Sequence, residues 1–410
     1  MSEAVWSERD GRRRPRPGRV GWRVSRAEVL AAARSWWQPV ARRRGAVCPR
    51  GATGRGGRHA TRGNPDEGLP SRPTPGQSTG GRRPLPGPHP GIRSRTAPQK
   101  GVSVESAVVR GPRVGRVHWE YVVPIGGVHL LACLALLPWC FSWSGVILAL
   151  VGTNVFGTLG INLCYHRLLA HRSLTVPRWL ERSFATLALC SLEDTPARWV
   201  ANHRLHHVHS DEELDPHSPR DGIGWSHAGW LFRAAPQRRT YAFFEKYARD
   251  ILADDYYRWL ERKHYSVIWI YLAHAVLFAL AGYAVGWWTT GERAEALRLA
   301  ASWVVWGVYV RTVLVWHITW SVNSLTHLFG YRTYETSEDS RNNWLVGLVA
   351  MGEGWHNNHH HDPASASVQH RWWEIDPTYY VILLLERAGL ATDVVRPRHV
   401  RVRERALSAG

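Results

Sequence analysis

Four apolar stretches long enough, or nearly so, to cross a bilayer mark the chain: Tyr121–Trp139, Val146–Cys164, Val267–Val285 and Leu299–Trp320. A membrane-crossing helix needs roughly 20 such residues. Only residues 140–145 separate the first two stretches, and the last two are also close in sequence, so the pattern predicts two helical hairpins. Trp139, Trp143, Tyr265, Trp287, Trp288 and Trp320 gather at the ends of the stretches, where an interfacial aromatic belt belongs. A shorter apolar stretch, Trp179–Leu192, predicts a re-entrant or interfacial helix. The expected fold class is therefore an all-α integral membrane protein.

Two hairpins impose a parity. Everything before the first span, between the second and third, and after the fourth shares one side of the membrane. Those segments hold Arg167, Arg172, Arg178, Arg182, Arg332, Arg341 and Arg371, whereas residues 140–145 hold no basic residue and the other outer loop holds only Arg293 and Arg298. The excess of basic residues predicts that the long central and C-terminal segments are cytoplasmic. Arg311, inside the fourth stretch, is expected to face protein or water, because a charge facing lipid is costly.

Composition changes this picture only at the N-terminus. Residues 1–118 carry 25 Lys+Arg against 7 Asp+Glu, a surplus of 18, while the whole chain has 52 against 33, a surplus of 19; the remainder is almost neutral. The basic segment is rich in Arg, Gly and Pro and lacks a sustained apolar period, so it could not bury enough surface to offset the entropy of ordering. It is expected to be a disordered tail or an over-extended start; Met1 and Met351 are the only methionines, so a later start would need another initiation codon. No signal-peptide pattern follows the basic N-terminus. The domain expectation is a tail over 1–118, a membrane domain over 119–385 and a C-terminal tail over 386–410. Cys48, Cys133, Cys140, Cys164 and Cys190 are too scattered for a disulfide framework and read as small hydrophobes.

The chemistry lies in the histidines. His166-Arg-Leu-Leu-Ala-His171 ends the second apolar stretch; His203-Arg-Leu-His206-His207 and His356-Asn-Asn-His359-His360 follow, and Asn323-Ser-Leu-Thr-His327 lies just past the fourth. Residues three and four apart share a helix face. So His203, His206 and His207 can address one place, as can His356, His359 and His360. His166 and His171, five apart, would splay on a regular helix and are expected at a helix end. A lone histidine is most often decoration, and His129, His264, His274, His317 and His370 are read that way; His209, His217, His227 and His361 are also left out. Three dense clusters on one membrane side are a different matter. Imidazole suits iron, zinc and copper, and this many ligands exceed the needs of one ion. A nitrogen-rich site for two metals beside a bilayer points to iron and dioxygen, with Glu353, Asp194 and Asp215 as candidate carboxylates behind the ligands.

With these motifs the chain resembles the membrane fatty acyl desaturases, particularly the delta-9 acyl-CoA and acyl-lipid type, over roughly Trp119 to Tyr380. Beyond the histidine clusters the resemblance rests on Asp215-Pro-His-Ser, Trp320-Ser-Val-Asn-Ser-Leu-Thr-His327, Ser340-Arg-Asn-Asn343 and Gly352-Glu-Gly-Trp-His356. It implies four transmembrane helices capped by a cytosolic helical domain, with an apolar tunnel past a dimetal site. The implied ligands of two iron ions (Fe2+) are His166, His171, His203, His206, His207, His327, His356, His359 and His360, with Asn323 acting through water. O2 would be the co-substrate for inserting a cis double bond into a fatty acyl substrate, acyl-CoA or acyl-lipid. Electrons would come from NAD(P)H through a separate carrier, a ferredoxin or a cytochrome b5-type protein and its reductase; membrane lipid is the other partner, and no nucleic acid is expected.

Some positions depart from the family pattern. Ala201-Asn202 stand where animal acyl-CoA enzymes of the family carry Arg-Asp, which leaves a lipid-linked or protein-carried acyl chain open. The third cluster runs on into His361-Asp362, making His361 an alternative ligand. His89-Pro-Gly-Ile92 is similar to a cytochrome b5 haem motif but sits in Pro-rich sequence and reads as accidental. A hydroxylase with the same metals would differ only in the fate of the substrate radical. A metal-binding membrane transporter or sensor would place its site near the bilayer midplane, unlike these histidines.

Overall fold

The computed structural model describes residues 115–408 apart from 234 and 264. Most of the predicted N-terminal tail, together with Cys48, the His89 motif and His264, therefore lies outside the described residues. Among the described residues the chain is helical, with isolated β-bridges and no strand.

Among the described residues four helices are long and apolar enough to cross a membrane: Trp119–Leu136, Trp143–Ala170, Ser266–Thr290 and Arg293–Leu328. They start as α1 (Trp119–Ala132) and α2 (Trp143–Val155). Two shorter helices follow, α3 (Arg178–Leu189) and α4 (Pro196–His209). The central segment continues through α5 (Tyr241–Tyr247) and α6 (Asp255–Arg262) to α7 (Ser266–Thr290), α8 (Arg293–Val304) and α9 (Arg311–Leu328). Beyond lie α10 (Trp344–Val349), α11 (His356–His361), α12 (Pro377–Arg387) and α13 (Arg398–Ser408). The second and fourth spans outrun their predicted apolar limits, Cys164 and Trp320, and so carry His166 and the Asn323–His327 pair on their last turns.

Contact register gives the direction of each span. On α7, Gly286 meets Ala296 and Gly282 meets Ala300, so the third and fourth spans run antiparallel there. A Cβ at Gly286 would lie 2.7 Å from Ala296 Cα, a clash that keeps this interface to small residues. Gly145 of α2 meets Ser302 and Trp306, and Gly152 meets Arg311, so the second span runs parallel to the fourth. His129 of α1 packs on Trp316 while the turn after α1 packs near residues 305–310, so the first span opposes the fourth. Neighbours in sequence thus alternate in direction.

Arg311 is fully buried, as expected. It donates to Cys190 O (2.9 Å), Ser191 Oγ (3.1 Å) and Gly307 O (3.1 Å), approaches His274 Nε2 (3.2 Å), and lies over the Phe156 ring. The Trp179–Leu192 stretch forms α3, whose Leu180, Phe184, Ala185, Ala188 and Leu189 join the main core with α4, α5 and α6. Its charged face is held by this helical domain, Arg182 pairing with Asp254 and Glu181 accepting from Tyr257 Oη. In the segment predicted as a C-terminal tail, residues 392–395 pair with residues 173–175, and Arg401 of α13 pairs with Asp362.

Candidate metal centre

The second span changes winding before it reaches its histidines. From Phe156 to Ala170 it is π-helical, with backbone bonds five residues apart, and His171 N donates to His166 O (3.0 Å). Five-residue bonding stacks residues five apart, and such windings recur at functional sites. His166 and His171 therefore come together through the winding itself, their ring centroids 4.8 Å apart, and the helix end supplies only the last residue.

The imidazoles gather as two groups. One nitrogen each from His166, His171, His203, His207 and His359 lies within 4.8 Å of the others, and His206, His327, His356 and His360 form a second such set. The expectation that each His-x2-His-His cluster addresses one place is corrected here. A helix turns roughly 100° per residue, so residues i and i+4 nearly align while i+3 is rotated to the side. On α4, His203 and His207 serve the first group and His206 the second; on α11, His356 and His360 serve the second and His359 the first. Each cluster thereby stitches the groups together.

Carboxylates hold the outward nitrogens. Glu353 Oε2 accepts from His166 Nδ1 (2.8 Å), Asp215 from His206 Nδ1 (3.0 Å) and Asp211 Oδ2 from His327 Nδ1 (2.8 Å). With Nδ1 donating, each Nε2 turns a lone pair inward. His166 Nε2 lies 3.0 Å from His359 Nε2, His206 Nε2 3.4 Å from His360 Nε2, and among the described residues buried His327 Nε2 has no protein hydrogen-bond partner. Facing lone pairs at this spacing repel unless a cation or proton lies between them. This donor set fits first-row metal ions, with the carboxylate-to-imidazole pairing that fixes tautomer and ring orientation around bound metals.

Electrostatics agree. Burial first, then the neighbouring imidazoles, hold His203, His207, His359 and His360 well below the ordinary histidine range, so they are neutral at neutral pH. Burial alone would raise the carboxyls, yet His327 holds Asp211 at about 2, and Arg167 with His166 holds Glu353 at about 2. His206 differs: burial lowers it, but the Asp215 charge lifts it above the ordinary value.

Of the three carboxylates singled out from sequence, Glu353 and Asp215 stand behind ligands. Asp194 does not; it accepts from Tyr121 Oη and pairs loosely with Arg198. Asp211 and Glu338, the latter 3.7 Å from His360 Nδ1, were missed, although the acidic run Asp211–Asp215 after the second cluster was a signal. His217 was also missed; its ring lies 4.4 Å from that of His206. Asn323 sits half-buried one turn before His327, and among the described residues no protein hydrogen bond engages its amide. Trp199 stacks on His203 and donates to Glu193, a carboxyl that burial pushes up to about 7. His361 stacks on Tyr334, outside both groups, and His129, His317 and His227 form a separate hydrogen-bonded chain.

Gly354 shows why the turn before the third cluster is glycine-rich. A Cβ there would lie 2.0 Å from Gly347 N, so a side chain would drive α10 away and carry Glu353 with it.

Comparison with known proteins identifies a family and several relatives. A family model described as fatty acid desaturase matches residues 121–390. The sn-2 palmitoyl-lipid 9-desaturase of Nostoc sp. (strain 36) is 42% identical over 281 residues, 68% of this chain and 91% of that protein. The sn-1 stearoyl-lipid 9-desaturase of Anabaena variabilis is 40% identical, covering 68% of this chain and 94% of its own length. An acyl-CoA 5-desaturase of Anemone leveillei is 41% identical, covering 69% and 81%. Coverage of this extent, with all ten candidate ligand residues inside the matched region, places the chain in the fatty acid desaturase family of membrane oxidoreductases.

Proposed function

We propose that the chain inserts a cis double bond at the delta-9 position of a saturated acyl chain, using two iron ions held between its histidine groups. His166, His171, His203, His207 and His359 would hold one ion. His206, His327, His356 and His360 would hold the other, with Asn323 reaching it through water. The observation that carries this reading is the inward convergence of nine imidazoles as a five and a four. A catalytic zinc usually takes three protein ligands, and nine nitrogens in two groups suit two ions. Bound iron would supply the activation of O2 and the removal of hydrogen from an unactivated methylene pair. The protein's own groups hold the ions, fix His166, His206 and His327 in one tautomer through Glu353, Asp215 and Asp211, and keep the site largely buried.

The balance takes in O2, two electrons and two protons with the acyl chain, and releases the alkene and two waters. An electron supply is therefore required, and we assign it to NAD(P)H acting through a ferredoxin or cytochrome b5-type carrier with its reductase. A lipid-linked acyl chain is favoured over acyl-CoA, supported by Ala201-Asn202 before the second cluster and by the two relatives named for acyl-lipid substrates. The spans form two hairpins, with the site on the cytoplasmic side, supported by their alternating directions and by the distribution of Arg. Residues 119–385 constitute the catalytic domain.

Fatty-acid methyl-ester analysis of a desaturase-deficient host tests this reading. The intact chain is expected to yield a new cis-monoene at position nine, and the His203→Ala, His207→Ala double variant none. Hydroxy acid without alkene from the intact chain would overturn the assignment. Deleting residues 1–110 is expected to leave the product unchanged; lost product in a membrane-inserted variant would contradict the domain boundary.

A further inference from the structure

One surface is left unexplained by the four spans. The segment from Trp344 to Met351, Trp-Leu-Val-Gly-Leu-Val-Ala-Met, has no charged side chain and no hydroxyl or amide side chain. It forms α10 and the turn after it. Val346, Gly347 and Ala350 face the protein, and Gly347 packs against the Trp355 ring. The opposite face exposes Trp344, Leu345, Leu348 and Val349, with Leu348 at 67%. A helix apolar on every side belongs in a core or in lipid, and half of this one is outside the core.

The depth of α10 says which medium covers it. Ala350 O accepts from Asn162 Nδ2 (3.0 Å). Val349, Ala350 and Met351 line a small crevice with Thr158 of the second span and Ile318 and Thr319 of the fourth. Those partners lie inside the apolar stretches Val146–Cys164 and Leu299–Trp320, near their ends on the metal side. The exposed face of α10 is therefore continuous with the lipid-facing surface of the spans.

A second element extends the patch. The loop Arg371–Ile375 exposes Trp372 and Ile375, and Ile375 O accepts from Trp355 Nε1 (2.8 Å), the indole that also supports Gly347. Arg371 lies 5.2 Å from the Trp373 ring centroid. Tryptophan beside arginine is the composition of a headgroup-level belt.

We infer that α10 and the Trp372–Ile375 loop are a fifth membrane contact, lying in the interface with Trp344, Leu345, Leu348 and Val349 in the acyl region. The contact anchors the chain just before Glu353 and His356, so the third histidine cluster is tied to the membrane, as the first cluster and His327 are by their spans. The occupant is the bilayer. This inference rests on the membrane fold and is independent of which metal or reaction the site supports.

The test uses full-length protein in phosphatidylcholine nanodiscs, in a Cys48→Ser, Cys133→Ser background. An environment-sensitive fluorophore is attached at Leu348→Cys or Ile375→Cys. Leu277→Cys on the exposed face of the third span is the lipid reference, and Glu213→Cys, exposed in the helical domain, is the water reference. Each labelled protein is first required to elute as a single species. The Leu348 and Ile375 labels are expected to be blue-shifted like Leu277 and quenched several-fold more by spin-labelled lipid than the Glu213 label. Quenching by aqueous iodide to the Glu213 level would overturn the inference. So would iodide quenching relieved only on adding reduced ferredoxin, which would make the patch a protein-docking surface. The readout is position and not turnover, so an inactive enzyme does not affect it.

Discussion

Asp211→Asn is expected to give a protein that keeps one metal ion per chain, loses the other, and yields no monoene. Asp211 is buried between three partners: Oδ2 accepts from His327 Nδ1 (2.8 Å) and Asp339 N (2.9 Å), and Oδ1 accepts from Ser218 Oγ (2.8 Å). An asparagine of the same shape can keep its oxygen toward His327 and turn its amide to Ser218, whose hydroxyl can rotate to accept. The fold is thus preserved while a full negative charge is removed, since Asp211 is held at about 2 and is ionised at neutral pH. Losing a carboxylate behind an imidazole ligand typically costs about 10–100-fold in metal affinity. The damage should fall on the group containing His206, His327, His356 and His360 and spare the five-histidine group. Metal analysis after dialysis against a weak chelator measures this directly. Two ions retained per chain would show that Asp211 has no part in holding metal. Glu353→Gln, behind His166, is the reciprocal case and should release the ion of the five-histidine group.

The parts of the molecule legible in the sequence are those where one local rule acts alone. Span positions follow from runs of apolar residues, and Arg311 had to face protein or water because a charge facing lipid is costly. The histidines were found because their density is improbable under any packing requirement. What escaped was set by tertiary geometry. No periodicity announces that Phe156–Ala170 winds five residues per hydrogen bond, although Gly157 and Gly160 are weak α-helix formers that lower the resistance to it. The division of each His-x2-His-His cluster between two groups depends on what faces α4 and α11 from opposite sides. Asp211 and Glu338 look like loop charges in sequence, and only long-range packing brings them to His327 and His360. Asp194 was a candidate carboxylate behind the ligands, yet the turn into α4 points it at Tyr121. The lipid-facing side of α10 was overlooked because six residues are too few to register as a membrane segment.

Arg167→Met is expected to be the most destabilising single substitution at the end of the second span, and the pH dependence of its effect should identify the cause. The guanidinium is fully buried on the π-helical segment. It donates to Glu353 Oε1 (2.8 Å), to both oxygens of Asp376 (2.9 Å each) and to Ala366 O (2.8 Å). Removing one partner of a buried ion pair leaves an uncompensated charge, at a cost of about 3–5 kcal/mol. Here two carboxylates would be stranded, one of them the hydrogen-bond acceptor for His166. In the intact protein Arg167 and His166 hold Glu353 at about 2, below its unfolded value of 4.5, so its contribution is present above that value and is lost only as pH falls toward 2. Burial already lifts Asp376 above its ordinary value in the intact protein, and without the cation burial pushes both carboxyls higher. A group that binds more protons folded than unfolded stabilises as pH falls. In the intact protein Glu193, held at about 7, and Asp376, raised by burial, already favour acidification, so the variant should gain more melting temperature than the intact protein on going from about pH 8 to about pH 6. Adding Asp376→Asn should recover part of the loss, because its oxygen can still accept from Val368 N or Tyr379 N without carrying charge. Melting followed by size-exclusion chromatography in detergent reads all three proteins. An Arg167→Met protein that melts with the intact chain at both pH values would show that this buried network contributes nothing to holding His166 and the third cluster in place.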